Sequence, residues 1–348
     1  MNKNFIQNIQ IQNYKCFNNL EVDNLKRVNL LSGKNNIGKT AFLEAIELFV
    51  SSQRIYDVVI NIINLLSRRQ NKDRVLNNEI EFDLVNYKND SLEIKIDNKL
   101  LTMKLIESDL NQKFDIYIDD DEILSEPILE ITLNSETQKF PISRLVNKKL
   151  SFHYREETLK QKVNFISSST VNEKDIAIFY GDLVDLNKEE FLDKSLQLFD
   201  DNFLALKQKT TKIDTILKLK VKNQEKPILL SSLGEGINRF IAILCAIWAS
   251  KDGCLFIDEI ENGIHYTNYE KLWDIIFKAS KEANCQIFAT THSKECIESY
   301  HNVSKQIKED NLSFINLSRN KKDEIIAIVL DSDMFHSEIE QNHEVRAW

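Results

Sequence analysis

Gly33-Lys34-Asn35-Asn36-Ile37-Gly38-Lys39-Thr40 is the stretch on which the reading of this chain turns. It satisfies GxxxxGK[ST], a loop whose backbone amides, with the N-terminus of the following helix, cradle phosphate oxygens. The flanks are right for it. Val28-Asn29-Leu30-Leu31 reads as a strand running into the loop, and Ala41 to Phe49 places Phe42, Leu43, Ile46 and Phe49 on one helical face. Gly33, Lys34, Asn35, Asn36, Ile37, Gly38, Lys39 and Thr40 therefore make up the expected nucleotide contact. Lys39 is expected to reach the β- and γ-phosphates and Thr40 to place its hydroxyl on Mg²⁺, while the Lys34 side chain faces solvent.

A second signal lies far down the chain. Cys254-Leu255-Phe256-Ile257 is a buried strand that ends in Asp258-Glu259, which delivers two carboxylates to the end of a sheet beside the glycine loop. Asp258 is expected to hold magnesium through water. Glu259 is expected to polarise the attacking water, a general-base task that needs a carboxylate within hydrogen-bond reach of the nucleophile. Around these motifs the pattern alternates. Strand-like segments occupy residues 5 to 31, and Ile228-Leu229-Leu230 precedes a turn at Ser231 to Gly236 and an apolar helix from Ile237 to Ala249. An amphipathic helix around Tyr269 to Ala279 and a strand at Gln286 to Thr290 complete an α/β order that predicts a mixed, mainly parallel sheet.

Bulk properties narrow the class. A length of 348 residues fits two compact units or one α/β unit with an insertion. Hydrophobic content of 42% and charged content of 28% suit a soluble protein, and no run reaches the roughly 18 apolar residues of a membrane helix. Met1 to Phe5 lacks an apolar export signal, so a cytoplasmic location without a membrane partner is expected. The five cysteines, at 16, 245, 254, 285 and 296, show no CxxC spacing and argue against a disulfide framework or zinc site. A net charge of −9 excludes a generally basic nucleic-acid coat but leaves room for a local basic patch. Of only seven glycines, all but Gly181 fall in or beside phosphate-handling motifs, where backbone approaches a ligand or takes positive φ.

Residues 51 to 225 carry fewer signals. Val58 to Leu66 is helical, Arg68-Arg69 is a basic step, Glu79 to Leu84 alternates as a strand, and Asp119-Asp120-Asp121-Glu122 reads as a solvated turn. Glu156 to Lys162 and Lys188 to Leu206 are expected to be charged helices of an arm or lid. Ser167-Ser168-Ser169-Thr170 reads as a strand end or turn, and Asp331-Ser332-Asp333 as a surface turn rather than a metal pair.

Three further segments resemble parts of ABC-type ATPases. Ser232-Leu233-Gly234-Glu235-Gly236 is similar to their signature motif, with Leu233 where LSGGQ or LSGGE has its first glycine. The resemblance implies that Ser232, Gly234 and Glu235 contact a nucleotide bound on another subunit; the alternative is a serine N-cap on the helix beginning near Ile237. His265, seven places after Asp258, stands where the dimer-facing aspartate lies, and His292 stands where the switch histidine contacts the γ-phosphate.

Together with Ile11-Gln12-Asn13-Tyr14-Lys15-Cys16-Phe17 and Glu344-Val345-Arg346, these segments resemble bacterial AAA-family ATPases with an ABC/SMC-type head, related to OLD and RecF proteins and to the ATPase subunit of PARIS-like anti-phage systems. The resemblance covers roughly residues 1 to 50 and 165 to 348. It implies a head formed by residues 1–50 and 226–348, with 51–225 as a strand and helix insertion. It also implies Mg²⁺-dependent ATP hydrolysis through Lys39, Glu259 and His292, with Thr40 and Asp258 on the metal. The expected partners are a second copy of the chain, in a dimer or larger even assembly, and a separate effector such as a Toprim-type nuclease, since only 56 residues follow His292. A phage protein is open as the trigger, as is DNA as a ligand. A DNA-repair clamp of the RecF or SMC kind is the alternative function.

Overall fold

A computed structural model describes residues 5–69, 91–106, 128–142, 162–169, 171–210 and 215–341. The segments Glu79 to Leu84 and Asp119 to Glu122, residues 156–161, Thr170 and Glu344 to Arg346 lie outside the described residues.

Strands β1 (Ile9–Tyr14) and β2 (Phe17–Val22) form a hairpin, and β3 (Val28–Gly33) runs into the glycine loop. Helices α1 (Lys39–Val50) and α2 (Ile55–Arg69) follow. Strands β4 (Ser91–Ile96), β5 (Lys99–Ile106), β6 (Ile128–Leu133) and β7 (Glu136–Pro141) then extend the first hairpin into an antiparallel sheet of order β2-β1-β4-β5-β6-β7. Strands of the 51–225 span thus join the N-terminal hairpin in one sheet. Burial explains the register. Ile9 and Ile11 face Ile96 and Ile94 across the β1–β4 ladder, so the apolar face of the insertion continues that of the hairpin.

The second sheet holds β8 (Val163–Ile166), β12 (Cys254–Ile257), β13 (Gln286–Thr290), β14 (Leu312–Arg319) and β15 (Ile325–Asp331) around β3. Its order is β15-β14-β3-β13-β12-β8, parallel throughout except for the edge strand β15. This is the mixed, mainly parallel sheet that the alternation predicts. The pairing of β8 with β12 puts residues 163–166 in the head sheet, inside the 51–225 span that the sequence assigns to the insertion. Gly253 makes the approach possible, because a Cβ there would sit 1.8 Å from the Lys162 carbonyl oxygen.

Both sheet faces are covered, so strands such as Cys254–Ile257 are continuously apolar. Leu255 and Ile257 face one core with Val28 and Leu30, while Cys254 and Phe256 face the other with Leu31, α1 and the antiparallel sheet. Helices α3 (Glu173–Asp185), α4 (Glu189–Phe199), α5 (Glu235–Ala249), α6 (Tyr269–Ala283), α7 (Lys294–Ile307) and α8 (Ser332–Glu340) complete the fold. Between α4 and α5 lies a small antiparallel sheet of β9 (Phe203–Thr210), β10 (Thr215–Val221) and β11 (Ile228–Leu229). Two expectations change here. The charged helix expected over Lys188 to Leu206 stops at Phe199, since β-pairing of Leu206 with Leu219 buries apolar residues that a longer helix would leave outside. Asp331 is no surface turn: its carboxylate accepts from the Met334 N–H and caps α8.

Candidate functional site

The glycine loop is held by packing on both sides. At Gly38 the backbone is left-handed (φ 99°), and a Cβ would lie 2.5 Å from the Cys16 sulfur and 2.9 Å from the Phe17 ring. No side chain caps α1, so the first amides of that helix stay open toward the loop. Lys39 folds back over the loop, its Nζ donating to the carbonyls of Gly33 at 2.8 Å and Lys34 at 3.1 Å. Burial lowers the pKa of this ammonium against the opposing pull of Asp258, Glu259 and Glu261. The side chains of Lys34, Asn35 and Asn36 are exposed, while Ile37 is buried and anchors the loop.

The acidic strand end arrives beside it because β12 and β3 flank β13 in parallel register. Thr40 Oγ1 lies 3.0 Å from Asp258 Oδ2 and 3.2 Å from Oδ1. Asp258 also accepts at 2.7 Å from the hydroxyl of Thr290, whose oxygen in turn accepts from the Glu259 N–H at 2.8 Å. Glu259 takes a left-handed backbone (φ 51°), uncommon outside glycine and asparagine, and its carboxylate reaches Asn262 at 3.4 Å. Among the described residues no group of three or more His, Cys, Asp and Glu side chains could hold a metal. One carboxylate and one hydroxyl fit Mg²⁺ carried with nucleotide phosphates, which keeps several waters and takes few protein ligands.

Three residues outside the predicted set organise this end of the sheet. Arg239, buried in α5, donates to the carbonyls of Ser167 at 2.9 Å, Asp258 at 2.5 Å and Glu259 at 2.8 Å, tying β8 to the carboxylate turn. Its signal in the sequence was a charged residue, beside Asn238, at the start of the strongly apolar stretch Ile237 to Ala249. Thr290 is the second. Glu261 is the third: its Oε1 accepts from the backbone N–H groups of His292 at 2.8 Å and Ser293 at 3.2 Å and lies 3.1 Å from His292 Nδ1. His292 is thus held by a buried carboxylate while its ring stays 45% exposed.

The signature-like turn is built differently. Leu230–Ser232 is a short 3-10 turn, and Ser232, Gly234 and Glu235 are all exposed. The cap of α5 is Gly234 with no side-chain hydrogen bond, so the expected alternative of a serine N-cap does not hold. Gly236 packs where its Cβ would lie 2.3 Å from the Gly263 carbonyl oxygen, which joins this turn to the segment after Glu259. That segment also presents His265, exposed and bonded through Nδ1 to Thr267 Oγ1 at 2.9 Å, beside a Tyr266 that is 61% exposed. Thr40, Asp258 and Glu259 are joined through hydrogen bonds, Lys39 lies in the field of Asp258, Glu259 and Glu261, and Glu261 holds His292, whereas Ser232, Gly234, Glu235 and His265 stand on the surface.

The family described as "AAA domain, putative AbiEii toxin, Type IV TA system" matches residues 28–298. An ATP/GTP phosphatase of Helicobacter pylori is 25% identical over 335 residues, covering 86% of this chain and 89% of that protein. An uncharacterized protein of Methanocaldococcus jannaschii is 36% identical over 58 residues, 17% of this chain and 26% of its own. Among solved structures, the Smc head bound to the C-winged helix domain of ScpA superposes with a TM-score of 0.51 at 11% identity, covering 94% of this chain and 99% of that one. The chain belongs to this AAA family of P-loop ATPases, and its fold is that of an ABC/SMC-type head.

Proposed function

We propose that this chain hydrolyses ATP in a site completed by a second copy of itself, and that the ATP-dependent engagement governs a separate effector in anti-phage defence. The observation that carries the reading is the division of the site. Lys39, Thr40, Asp258 and Glu259 converge within one chain, while the signature-like residues Ser232, Gly234 and Glu235 lie exposed beside an uncapped helix N-terminus. An exposed serine and open amides are suited to phosphate oxygens presented by another subunit. Hydrolysis is supported by the phosphatase relative, and a role in defence by the family's description as an AbiEii-like toxin group.

In this reading Lys39 would leave its loop carbonyls for the β- and γ-phosphates, and Thr40 and Asp258 would hold Mg²⁺, which when bound would neutralise phosphate charge. Glu259 orients the attacking water and accepts its proton. His292, held by Glu261, would contact the γ-phosphate. The effector is envisaged as a Toprim-type nuclease or comparable toxin, kinship with OLD and PARIS-like ATPases being part of the proposal, and a phage protein as the trigger.

The test is ATP turnover together with solution mass, with and without ATP. Lys39→Ala and Glu259→Gln should both lose turnover, by on the order of 10²–10³, and Glu259→Gln should accumulate as an ATP-stabilised dimer or larger even assembly. A monomer at all nucleotide concentrations, with turnover insensitive to Glu259→Gln, would leave a nucleotide-binding scaffold instead.

A further inference from the structure

The acidic charge of the chain is unevenly spread. Residues 203–229 carry seven lysines against two acids, Asp214 and Glu225, in a protein whose net charge is −9. The described part of this segment is the β9-β10-β11 sheet and its connections. Leu206, Leu217 and Leu219 point into the core, and the pairing places the lysines on the other side. Lys207 lies directly opposite Lys218, Lys209 opposite Ile216, and Lys220 two residues beyond Lys218. Side chains alternate along a strand, so Lys207, Lys209, Lys218 and Lys220 share one face. Lys222 and Lys226 extend the charge along the exposed connection to β11.

Like charges directly opposite on antiparallel strands disfavour pairing. Among the described residues none of these six lysines forms an ion pair; Asp193 of α4 feels the charge of Lys207, but its carboxylate accepts instead from the Leu206 N–H at 3.2 Å. Among the described residues these cations lack a counter-charge, and a polyanion can supply it. The spacing favours an extended one. Lysines two apart on a strand are about 6.6 Å apart and neighbouring strands about 4.8 Å, giving two rows of point charges rather than a single pocket. Lysine lacks the planar fork that selects a carboxylate, which weighs against an acidic protein. No aromatic residue shares the face, since Phe203 packs on the core, so stacking of unpaired bases has no platform here.

We propose that the outer face of the β9-β10 hairpin, through Lys207, Lys209, Lys218, Lys220, Lys222 and Lys226, binds the phosphate backbone of duplex nucleic acid without reading its sequence. The inference does not rest on the proposed dimer or effector, and it is testable in a chain that cannot turn over ATP. Because β11 continues into the Leu230–Ser232 turn, a bound duplex would lie beside the signature-like segment.

The experiment is fluorescence anisotropy of a short labelled duplex with the full chain, with and without Lys39→Ala, across a salt series. Six phosphate contacts give a log–log salt slope of about −5, and affinity should fall on the order of 10³-fold between roughly 50 and 200 mM salt. Each Lys→Gln change on the face should reduce the slope by about 1 for every sequence tested. Lys278→Gln, on α6 and paired with Asp274, serves as the control and should leave it unchanged. Melting temperature and ATP turnover, which these lysines do not touch, verify folding of each variant. An affinity and slope indifferent to the six lysines overturns the proposal. So does tighter competition by polyglutamate or anionic phospholipid vesicles than by unlabelled duplex at matched charge, which would assign the face to an acidic protein or a membrane surface.

Discussion

The turn after β12 and the turn before α5 meet where Gly236 packs on Gly263, yet they are constructed in opposite ways. In the first, Asp258 is buried and bonded to Thr40 and Thr290, and the carbonyls of Asp258 and Glu259 are gripped by Arg239. In the second, Ser232, Gly234 and Glu235 lie in solvent and the helix has no side-chain cap. A strained, prewired turn is what a chain builds when it must hold a catalytic group by itself. A bare turn carrying a serine and open amides is what remains when the ligand comes from elsewhere. Glycine serves this contrast in an unexpected way: Gly236 and Gly253 are required by approach to the protein's own backbone rather than to a ligand.

Mixing variants tests the contrast most severely. Lys39→Ala and Ser232→Ala should each lose turnover by on the order of 10²–10³, while Ser232→Ala melts normally because its hydroxyl is exposed. If the bare turn acts across an interface, equal amounts of the two inactive variants regain up to about a quarter of wild-type turnover, since half the dimers are mixed and hold one intact site. No recovery at any concentration would mean that the turn serves its own chain.

Arg239→Met attacks the wired side. It removes the donor of three carbonyls, of which that of Asp258 is buried and those of Ser167 and Glu259 part-buried, and should cost about 3 kcal/mol in thermal or denaturant unfolding. Arg239→Lys should not restore it, because one ammonium cannot span three acceptors held by a planar fork. Full stability in either variant would show that the turn is held by its strands alone. A smaller effect is expected at Glu261. Glu261→Gln keeps the oxygen that accepts from the His292 and Ser293 amides but removes the charge facing His292 Nδ1. Turnover should drop about tenfold, equivalent to 1.4 kcal/mol in the barrier, with the melting temperature almost unchanged. An equal loss of stability and activity would make Glu261 a structural residue only.

What the sequence disclosed follows the same division. The loop at 33–40 and the pair Asp258-Glu259 were legible because phosphate chemistry demands fixed residue types at fixed spacing next to a strand. The roles of Arg239, Thr290 and Glu261 were not legible, since they rest on hydrogen bonds across 19 to 72 residues of chain, whose partners no local pattern encodes. The fold class was legible from alternation of strands and helices. The place of β8 and the joining of β4 to β1 were not, because both depend on long-range pairing between short segments of ordinary composition.

The smallest predicted effect lies behind the loop, where α1 is fastened to its neighbours by charge. Glu44 is buried and accepts from Lys15 at 2.5 Å and, in a fork, from Arg69 at 2.9 and 2.7 Å, while Arg68 grips Glu47 at 2.9 and 2.5 Å and stacks 3.8 Å from the Phe165 ring. Burial by itself would raise the Glu44 pKa, but Lys15 and Arg69 outweigh it and hold the carboxyl below its ordinary value of 4.5. A carboxyl with a depressed folded pKa stabilises the fold fully above the unfolded value, and that contribution fades as pH falls through the folded one. Stability measured by denaturant titration should therefore decline below pH 4.5. Glu44→Gln should start lower at neutral pH, with the carboxylate charge that Lys15 and Arg69 share removed, and should show a shallower acid decline. A decline as steep in Glu44→Gln as in the parent would assign the acid sensitivity to other carboxylates. The wired half would then owe its rigidity to Arg239 and its strands, with the ion pairs on α1 contributing little.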